Sequence, residues 1–441
     1  MATGGNVGQE LLGFATELYP ICRSITGNGL RDTLRRIGRR IPLKIHEVPT
    51  GTRVFDWEVP LEWNIEGATL RGPDGRTVVD FRNHNLHVVN YSEPVDAQLD
   101  LDELRKHLHA HAKNPEWIPY RTSYYTRNWG FCLARRQLES LPRGRYRAVV
   151  SSRLEAGSLS YGEFRLRGAT RDEVILFTHA CHPALANDNT SGLAVATRLA
   201  AWLAGARRRF TYRIVFAPGT IGSLCWLKRN ERSLGRVRHG LVIGLLGDPG
   251  PLTYKASRLG TSEIDAIARH VLPEFAPDTR FIPFEPYGYD ERQLCSPGFD
   301  LPVGRLTRSV NDGYPQYHSS GDDLALLSGD ALARSFEACQ RLIDAIEGNR
   351  RYINLKPKGE PRLGKRGLYG AVGGQSPASR EYAMLWVLSQ SDGNHSLLDI
   401  SAKSKLGFPA IRSAASDLEK AKLLRAKSEP RRRTPASRKK R

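Results

Sequence analysis

Three short apolar segments, separated by two amphipathic ones, constrain the fold of this chain more than any other feature. The apolar segments are 174–178, 212–216 and 239–246, and each has the length of a strand buried on both faces. Segments 191–204 and 221–230, which lie between them, have helical spacing. Since strands joined by helical crossovers lie parallel in one sheet, this order predicts an α/β domain with its active site at the carboxyl ends of the strands.

The chain is too long for one ordinary core, because it has 441 residues. A turn at Pro73-Asp74-Gly75-Arg76 between two strand-like segments predicts a small β-rich insert. Three short helical segments followed by the strand-like 422–426 predict a winged helix. We therefore predict an N-terminal part of the main domain, the insert, the catalytic part of the main domain, the winged helix and a basic tail, at residues 1–62, 63–115, 116–350, 376–428 and 429–441.

Basic charge is concentrated at the C-terminus. The formal net charge is +20, and residues 422–441 contain ten Lys or Arg against one Glu. Such a segment attracts polyanions without sequence preference, but it is equally typical of a solvated chain end. Nucleic acid therefore stays an open partner, through the winged helix and the tail.

A membrane span, a secretory signal and a disulfide framework are not predicted. The sequence has no apolar run long enough to cross a membrane, and residues 1–10 lack a basic start followed by an apolar stretch. The six Cys residues are scattered without C-x-x-C spacing, so we expect mostly buried thiols. The expected compartment is the cytoplasm, and a homo-oligomer stays open.

Metal-ligating residue types are densest where the first apolar segment ends. The run from Thr178 to Gly192 contains His179, His182 and Asp188. Imidazole nitrogen and carboxylate oxygen are preferred ligands of a catalytic zinc, which keeps one position open. The polar residues at 189–191 can also cap the following helix, which accounts for them but not for the two histidines.

This run resembles that of the zinc aminopeptidases, and still more that of a bacterial group of aminopeptidase-like proteins with a small inserted domain and a C-terminal winged helix. The resemblance extends in order along nearly the whole chain, and its most specific parts are the His-Pro to Asn-Asp-Asn run and the Tyr-His-Ser-Ser-x-Asp run. Further similar segments are 86–92, 124–125 with 129–132, 218–223 and 290–293. The resemblance implies a zinc-peptidase-like mixed sheet flanked by helices.

The resemblance also implies a metal centre. Asp188 matches the aspartate that bridges two metals in the two-zinc peptidases, and His318 matches their last imidazole ligand. For the first imidazole, register with the strand favours His179, whereas proximity to the turn favours His182. We predict His182, Asp188 and His318 as ligands of one zinc per chain, with His179 and Asp248 as candidate further ligands.

The turn after the second apolar segment departs from the family pattern. Active aminopeptidases of this kind carry two Glu there, one as general base and one as ligand, whereas residues 217–220 read Ala-Pro-Gly-Thr. A single zinc remains chemically adequate, because it lowers the pKa of bound water toward ~7. Glu291 is the candidate base, since Asp290-Glu291 resembles a loop that faces the site in the family; the alternative is an exposed loop carboxylate.

The remaining candidate site residues are contacts to the substrate. Asp290 is one of them, in the loop of the candidate base. Tyr317 or Tyr254 could stabilise an oxyanion. Arg258 could bind a substrate carboxylate through two hydrogen bonds.

Three functions are compatible with these residues. The first, which we predict, is a zinc-dependent hydrolase of amide or peptide bonds that acts on a peptide or small molecule. The second is an inactive peptidase-like scaffold with a binding or regulatory role for the winged helix, and the third is a modifying enzyme in polysaccharide or secondary-metabolite biosynthesis. Cys181 beside His182 adds a thiol-nucleophile alternative to the first.

Overall fold

The structure is a computed structural model that describes residues 4–368 and 379–427. Two compact units are formed, and each is built from more than one segment of chain. Among the described residues, the first unit comprises 4–262 with 278–337, and the second comprises 263–277 with 338–368 and 379–427. The predicted basic tail, 429–441, lies outside the described residues.

Strands and helices are numbered in chain order. The strands are β1 (Leu43–Pro49), β2 (Arg53–Val54), β3 (Trp57–Glu58), β4 (Glu62–Arg71), β5 (Thr77–Asp80), β6 (Val95–Asp100), β7 (Leu108–Ala110), β8 (Phe131–Leu133), β9 (Arg145–Glu155), β10 (Ser158–Leu166), β11 (Glu173–His179), β12 (Thr211–Ala217), β13 (Val237–Ile243), β14 (Thr253–Lys255), β15 (Arg280–Ile282), β16 (Val303–Thr307), β17 (Arg351–Asn354), β18 (Asp392–Ser396) and β19 (Leu424–Ala426). The α-helices are α1 (Gly4–Leu18), α2 (Asn28–Gly38), α3 (Leu101–Leu104), α4 (Arg135–Glu139), α5 (Gly192–Ala204), α6 (Ile221–Asn230), α7 (Glu263–Phe275), α8 (Glu291–Leu294), α9 (Gly329–Gly348), α10 (Ser379–Gln390), α11 (Leu397–Ser404) and α12 (Phe408–Lys420).

The first unit contains an eight-stranded mixed sheet in the order β1-β10-β12-β11-β13-β16-β14-β15. Strands β12, β11, β13 and β16 are parallel neighbours, whereas β10 joins β12 and β14 joins β16 in antiparallel pairing. Every residue of β11 and of β12 is buried, as their continuous apolar sequences require. The predicted α/β sheet is confirmed, and its parallel strands end on one side of the unit.

A buried ion-pair network joins three of these strands away from their carboxyl ends. The guanidinium of Arg213 on β12 donates to Glu163 on β10 at 3.0 and 2.8 Å and to Glu173 on β11 at 3.3 Å. The indole of Trp226 donates to Glu163 at 2.8 Å. These contacts compensate the cost of burying two carboxylates inside the sheet.

A second sheet in the first unit has four strands in the order β5-β4-β9-β6. Its buried face includes Leu70, Val79 and Tyr146. The predicted hairpin corresponds to β4 and β5, which pair antiparallel. Because β9 belongs to the same sheet, the β-rich part extends past residue 115, and the domain boundaries themselves stay predictions.

The second unit contains a three-stranded sheet in the order β18-β17-β19, together with α10, α11 and α12. Ser396 caps α11 and forms a reciprocal capping pair with Asp399. Strand β17 precedes the Gly-, Pro- and Lys-rich linker, so this sheet begins upstream of the predicted boundary at residue 376. The sequence pattern does not predict this strand, because its partner strands lie beyond the linker and pair with it only in the fold.

Two further expectations concern membranes and thiols. No helix of the described residues is long and apolar enough to span a membrane. All six Cys residues are free, five of them buried, as predicted.

Candidate metal centre

Three imidazoles surround one buried carboxylate at the carboxyl end of β11. His179 is the last residue of that strand, and its Nε2 lies 2.6 Å from Oδ1 of Asp188. Nδ1 of His182 lies 3.2 Å from the same oxygen, and Nε2 of His318 lies 3.0 Å from Oδ2. The side chain of Asp188 is fully buried. His179 and His182 therefore face one oxygen of the carboxylate, and His318 faces the other.

The positions of these residues can be compared with the predicted ligand set. His182, Asp188 and His318 are brought together as the resemblance implies, and His179 joins them. One ligand atom each from His179, His182 and Asp188 lies within 4.8 Å of the others. The two histidines that the sequence offered as alternatives thus both face Asp188, while the ligand set itself stays a prediction.

The polar run around Asp188 fixes the turn to a neighbouring loop. Three of its side chains accept hydrogen bonds from consecutive backbone amides after β13: Asn189 from Leu245 at 3.1 Å, Ser191 from Leu246 at 3.0 Å and Asn187 from Gly247 at 2.9 Å. The carboxylate of Asp322 accepts the amides of Asn187 and Asp188 at 2.6 and 3.0 Å. Ser191 does not cap α5 with its side chain, so the helix-cap interpretation of this run was wrong at that residue.

His318 is held by contacts on both sides of its ring. Its backbone has φ +53°, a left-handed conformation that is costly for a residue other than glycine. The amide of Tyr120 donates to its carbonyl at 2.8 Å, and the ring of Tyr317 stacks on it with centroids 3.9 Å apart. The ring of Tyr120 also meets His182 and His318 edge-on, with both centroid separations 5.1 Å. These contacts orient the two imidazoles.

The protonation states of the centre suit metal binding. Burial lowers the pKa of His179 to about 4 and also lowers the pKa of His318. Burial opposes the ionisation of Asp188, but the nearby His182 and His179 outweigh it and hold the pKa of Asp188 well below its usual range. Neutral imidazoles, as at His179 and His318, and an ionised carboxylate bind a metal without first losing a proton. The donor set therefore fits a zinc ion.

Tyr289 is a residue of the centre that the sequence did not reveal. Its ring stacks on His179 with centroids 3.7 Å apart, and its Oη lies 2.7 Å from Nε2 of His182. A Cβ atom added to Gly219 would overlap with Cε1 of Tyr289. The tyrosine ring thus occupies the space beside the 217–220 turn, where the resemblance would place the pair of glutamates.

Glu291 lies in a different setting from the one predicted. Its carboxylate accepts a hydrogen bond from Nζ of Lys255 at 2.8 Å and lies 3.6 Å from the guanidinium of Arg305. Burial alone would raise the pKa of Glu291, but the nearby charges of Arg305 and Lys255 have the larger combined effect, so the pKa is lower than usual. It also accepts the amide of Tyr289 at 3.1 Å. Such a paired carboxylate is better suited to fixing the loop than to accepting a proton.

Asp290 is the neighbouring buried carboxylate. Neither of its carboxylate oxygens has a hydrogen-bond partner of ordinary geometry among the described residues. Burial raises the pKa of Asp290 to about 7, although the hydroxyl of Ser223 opposes the shift. An acid whose pKa is higher in the folded chain stays protonated to a higher pH there than in the unfolded chain. Its ionisation therefore destabilises the fold as the pH rises.

We expect Asp290→Asn to change how stability depends on pH. In the wild type, this carboxyl favours folding fully below its unfolded pKa near 4, and that contribution is lost as the pH rises through about 7. The free energy of unfolding of the variant, relative to that of the wild type, should therefore be higher at pH 8 than at pH 5 by on the order of 2 kcal/mol. Urea unfolding at both pH values measures this, with the exposed Asp56→Asn as control. An unchanged difference between the two pH values would contradict the expectation.

The other predicted site residues are engaged in other contacts. The carboxylate of Asp248 accepts hydrogen bonds from the hydroxyl of Ser309 at 2.7 Å and from the side chain of Asn187. Tyr254 is buried in the sheet and is not among the residues of the cavity next to His318. Arg258 forms an ion pair with Asp300 at 2.9 Å and does not line that cavity either. Burial raises the pKa of the Cys181 thiol to about 12, which disfavours a thiolate nucleophile.

An open cavity of about 290 Å³ adjoins the centre through His318. Six aromatic residues line it: Trp57, Tyr124, Tyr125, Tyr287, Tyr289 and Tyr317. Burial raises the pKa of Tyr317, so its phenol stays protonated at neutral pH. Nδ2 of Asn311 donates to the Oη of Tyr317 at 3.3 Å, which leaves the phenolic proton free for a ligand.

The fold is zinc-aminopeptidase-like, and the same chain carries a winged helix. The chain belongs to the family described as domain of unknown function DUF4910, whose profile matches residues 13–349. A winged helix-turn-helix profile matches residues 350–426.

Individual relatives agree with this assignment. A Clostridium acetobutylicum protein named "Putative polysaccharide biosynthesis protein with aminopeptidase-like domain" is 48% identical over 419 residues, which are 95% of this chain and 96% of that protein. A crystal structure of a "putative peptidase" from the same organism has a TM-score of 0.90 at 46% identity, over 96% of this chain and 97% of the other. The zinc aminopeptidase of Bacillus subtilis has a TM-score of 0.57 at 11% identity, over 77% of this chain and 95% of its own, and shares the fold.

Proposed function

We propose that this protein hydrolyses an amide bond of a small molecule or peptide with the help of one zinc ion. The observation that carries the proposal is the convergence of three imidazoles on Asp188 at the wall of an open cavity. His182, Asp188 and His318 would hold the ion, with His179 as a further ligand. When bound, zinc would polarise the substrate carbonyl and lower the pKa of a water molecule.

The chain's own residues supply positioning and charge stabilisation. The phenol of Tyr317 lines the cavity beside His318 and stays protonated, so it can donate to an oxygen that becomes negative during the reaction. Tyr289 braces His182 and His179 from the other side. Glu291, which the sequence offered as a base, is proposed to position this loop instead, through the amide of Tyr289.

A single metal is proposed rather than two. A second metal in the related peptidases requires a carboxylate from the turn after the second apolar strand, and here that turn has none. The ring of Tyr289 fills the adjacent space, since a Cβ on Gly219 would overlap with it. Asp248 is unsuited to replace the missing ligand, because its oxygens are already bonded to Ser309, Gly250 and Asn187.

We expect chelation to abolish hydrolysis and zinc to restore it. Elemental analysis of the purified chain should find about one zinc per chain, since the donor set matches a three- or four-ligand site. The substrate panel should include peptides, N-acyl amino acids and N-acyl amino sugars, the last because the name of the Clostridium relative refers to polysaccharide biosynthesis. Magnesium is the control, since it prefers oxygen ligands and should not restore activity. Two zinc ions per chain, or hydrolysis that survives chelation, would refute the proposal.

Nucleic-acid binding is the second candidate function, favoured by the winged helix-turn-helix match. The helix α12 carries two basic and two acidic residues, so its own charge is zero. Its Arg412 donates to the carbonyl of Asp344 at 3.3 Å. Base reading by α12 is therefore not supported, and we propose the basic residues beyond it as the source of any affinity.

We expect this affinity to be electrostatic and to depend on the tail. Residues 429–441 contain seven Lys or Arg. If these engage phosphates, affinity for duplex DNA should fall roughly a thousandfold between 50 and 200 mM salt. Fluorescence anisotropy on the full chain and on a chain ending at residue 428 measures this, with Arg412→Ala as control. Equal affinity of the two chains would place the contact elsewhere, and no binding at low salt would remove this candidate.

A further inference from the structure

The cavity beside His318 has an unusual distribution of charge. Its lining includes one guanidinium, that of Arg292, and no Asp or Glu among the described residues. The Nε of Arg292 is buried and has no hydrogen-bond partner in that part of the chain. Since that atom is inaccessible, an anionic ligand atom in the cavity would meet the part of the guanidinium that lines it, and would gain a charge-assisted hydrogen bond there.

Neighbouring carboxylates cancel this charge only in part. Glu291 is committed to Lys255 and Arg305, at 2.8 and 3.6 Å. Asp290 feels the charge of Arg292, but its raised pKa of about 7 means that it is only partly ionised at neutral pH. The cavity therefore favours a negative group and disfavours a positive one.

The mouth of the cavity is aromatic. Trp57, Tyr125 and Tyr287 all line it, yet they remain 46%, 49% and 61% exposed. The rings of Trp57 and Tyr125 lie 5.3 Å apart. Large exposed aromatic rings beside a cavity gain free energy when a ligand covers them. A ligand of this cavity is thus expected to combine an apolar or ring-shaped part with an anionic group.

We propose that the cavity binds an amide that carries a free carboxylate, with the carboxylate paired to Arg292 and the apolar part against the aromatic mouth. The substrate class is then an N-acylated amino acid or a similar acid, and not the free amine that an aminopeptidase takes. An ammonium group in this cavity would lie near Arg292, and no carboxylate among the described residues lines the cavity to compensate it. The inference rests on the proposed function for the reaction, but the binding preference can be measured without it.

The test is calorimetric binding to the full chain, as purified and after chelation. N-acetylphenylalanine should bind about tenfold or more tightly than N-acetylphenylalanine amide, as expected for a hydrogen-bonded charge pair. Phenylalanine amide, which carries the free amine, should bind most weakly. Arg292→Gln should remove the preference for the acid, and Arg292→Lys should retain part of it. Arg258→Gln is the matched control, since this guanidinium is already paired with Asp300.

Each outcome decides a separate claim. Equal affinity for acid and amide, tighter binding of the free amine, or an acid preference that survives in Arg292→Gln would overturn the inference. An acid preference seen only before chelation would assign the carboxylate to the metal and also overturn it. If the acid preference depends on Arg292 while no amide is hydrolysed, the inference stands and the proposed function fails. Hydrolysis of phenylalanine amide in preference to N-acyl acids would leave the function and remove the inference.

Discussion

Asp188→Asn is expected to abolish zinc binding and amide hydrolysis together while the chain stays folded. The carboxylate of Asp188 faces His179, His182 and His318 at 2.6, 3.2 and 3.0 Å. An amide side chain offers one neutral oxygen in place of two that share a negative charge. We expect zinc affinity to fall by roughly 100-fold or more, since even the loss of a residue that only orients a ligand costs 10–100-fold. Elemental analysis after dialysis and hydrolysis rates on the same samples measure both effects.

The matched control is Asp248→Asn. Asp248 is similarly buried and follows the neighbouring strand β13, but its carboxylate is bonded to Ser309 and Gly250. We expect this variant to lose stability and to keep its zinc. The fold of Asp188→Asn should persist, because Asp322 contacts the backbone amide of Asp188 and not its side chain. Stoichiometric zinc in Asp188→Asn would contradict the proposed centre, and zinc loss in Asp248→Asn would enlarge the ligand set.

The strands and helices of the main sheet could be predicted because the sequence pattern that indicates each element lies within that element. Segment 174–178 was expected as a strand and lies within β11, and 221–230 was expected as a helix and coincides with α6. Continuous apolar runs and helical periodicity are properties of neighbouring residues, so they survive in one sequence. Strand β17 was not expected, since its partners β18 and β19 are supplied from across a linker.

The residues of the candidate site differ in the same way in whether the sequence predicts them. The histidines and Asp188 could be expected because they are close in sequence to a strand end or match a specific motif. Tyr289 and Arg292 could not, because their roles depend on how the loop before α8 folds against the 217–220 turn. Glu291 was expected to face the site, but residues from two other strands, Lys255 and Arg305, pair with it. The spacing of residues in the sequence does not predict ion pairs of this kind.

Arg213→Met is expected to lower the free energy of unfolding by about 3–5 kcal/mol, the usual cost of breaking a buried ion pair on one side. The substitution keeps an apolar chain of similar length between β10 and β11 but leaves Glu163 and Glu173 without the guanidinium that both contact. It also removes the cation that lies 4.6 Å from the ring centroid of Trp226. Urea unfolding followed by circular dichroism at pH 7 measures the change.

The pH dependence identifies the cause. Burial raises the pKa of Glu163, but Arg213 outweighs it and lowers the pKa, so the pair stabilises the wild type above the unfolded pKa of Glu near 4.3 and less as the pH falls below it. The difference between variant and wild type should therefore shrink from pH 7 to pH 4. Adding Glu163→Gln should recover part of the loss, and Arg147→Met, which breaks an exposed pair with Asp96, should have no measurable effect. A loss that is the same at both pH values would point to packing instead, because a cavity left by the guanidinium does not titrate.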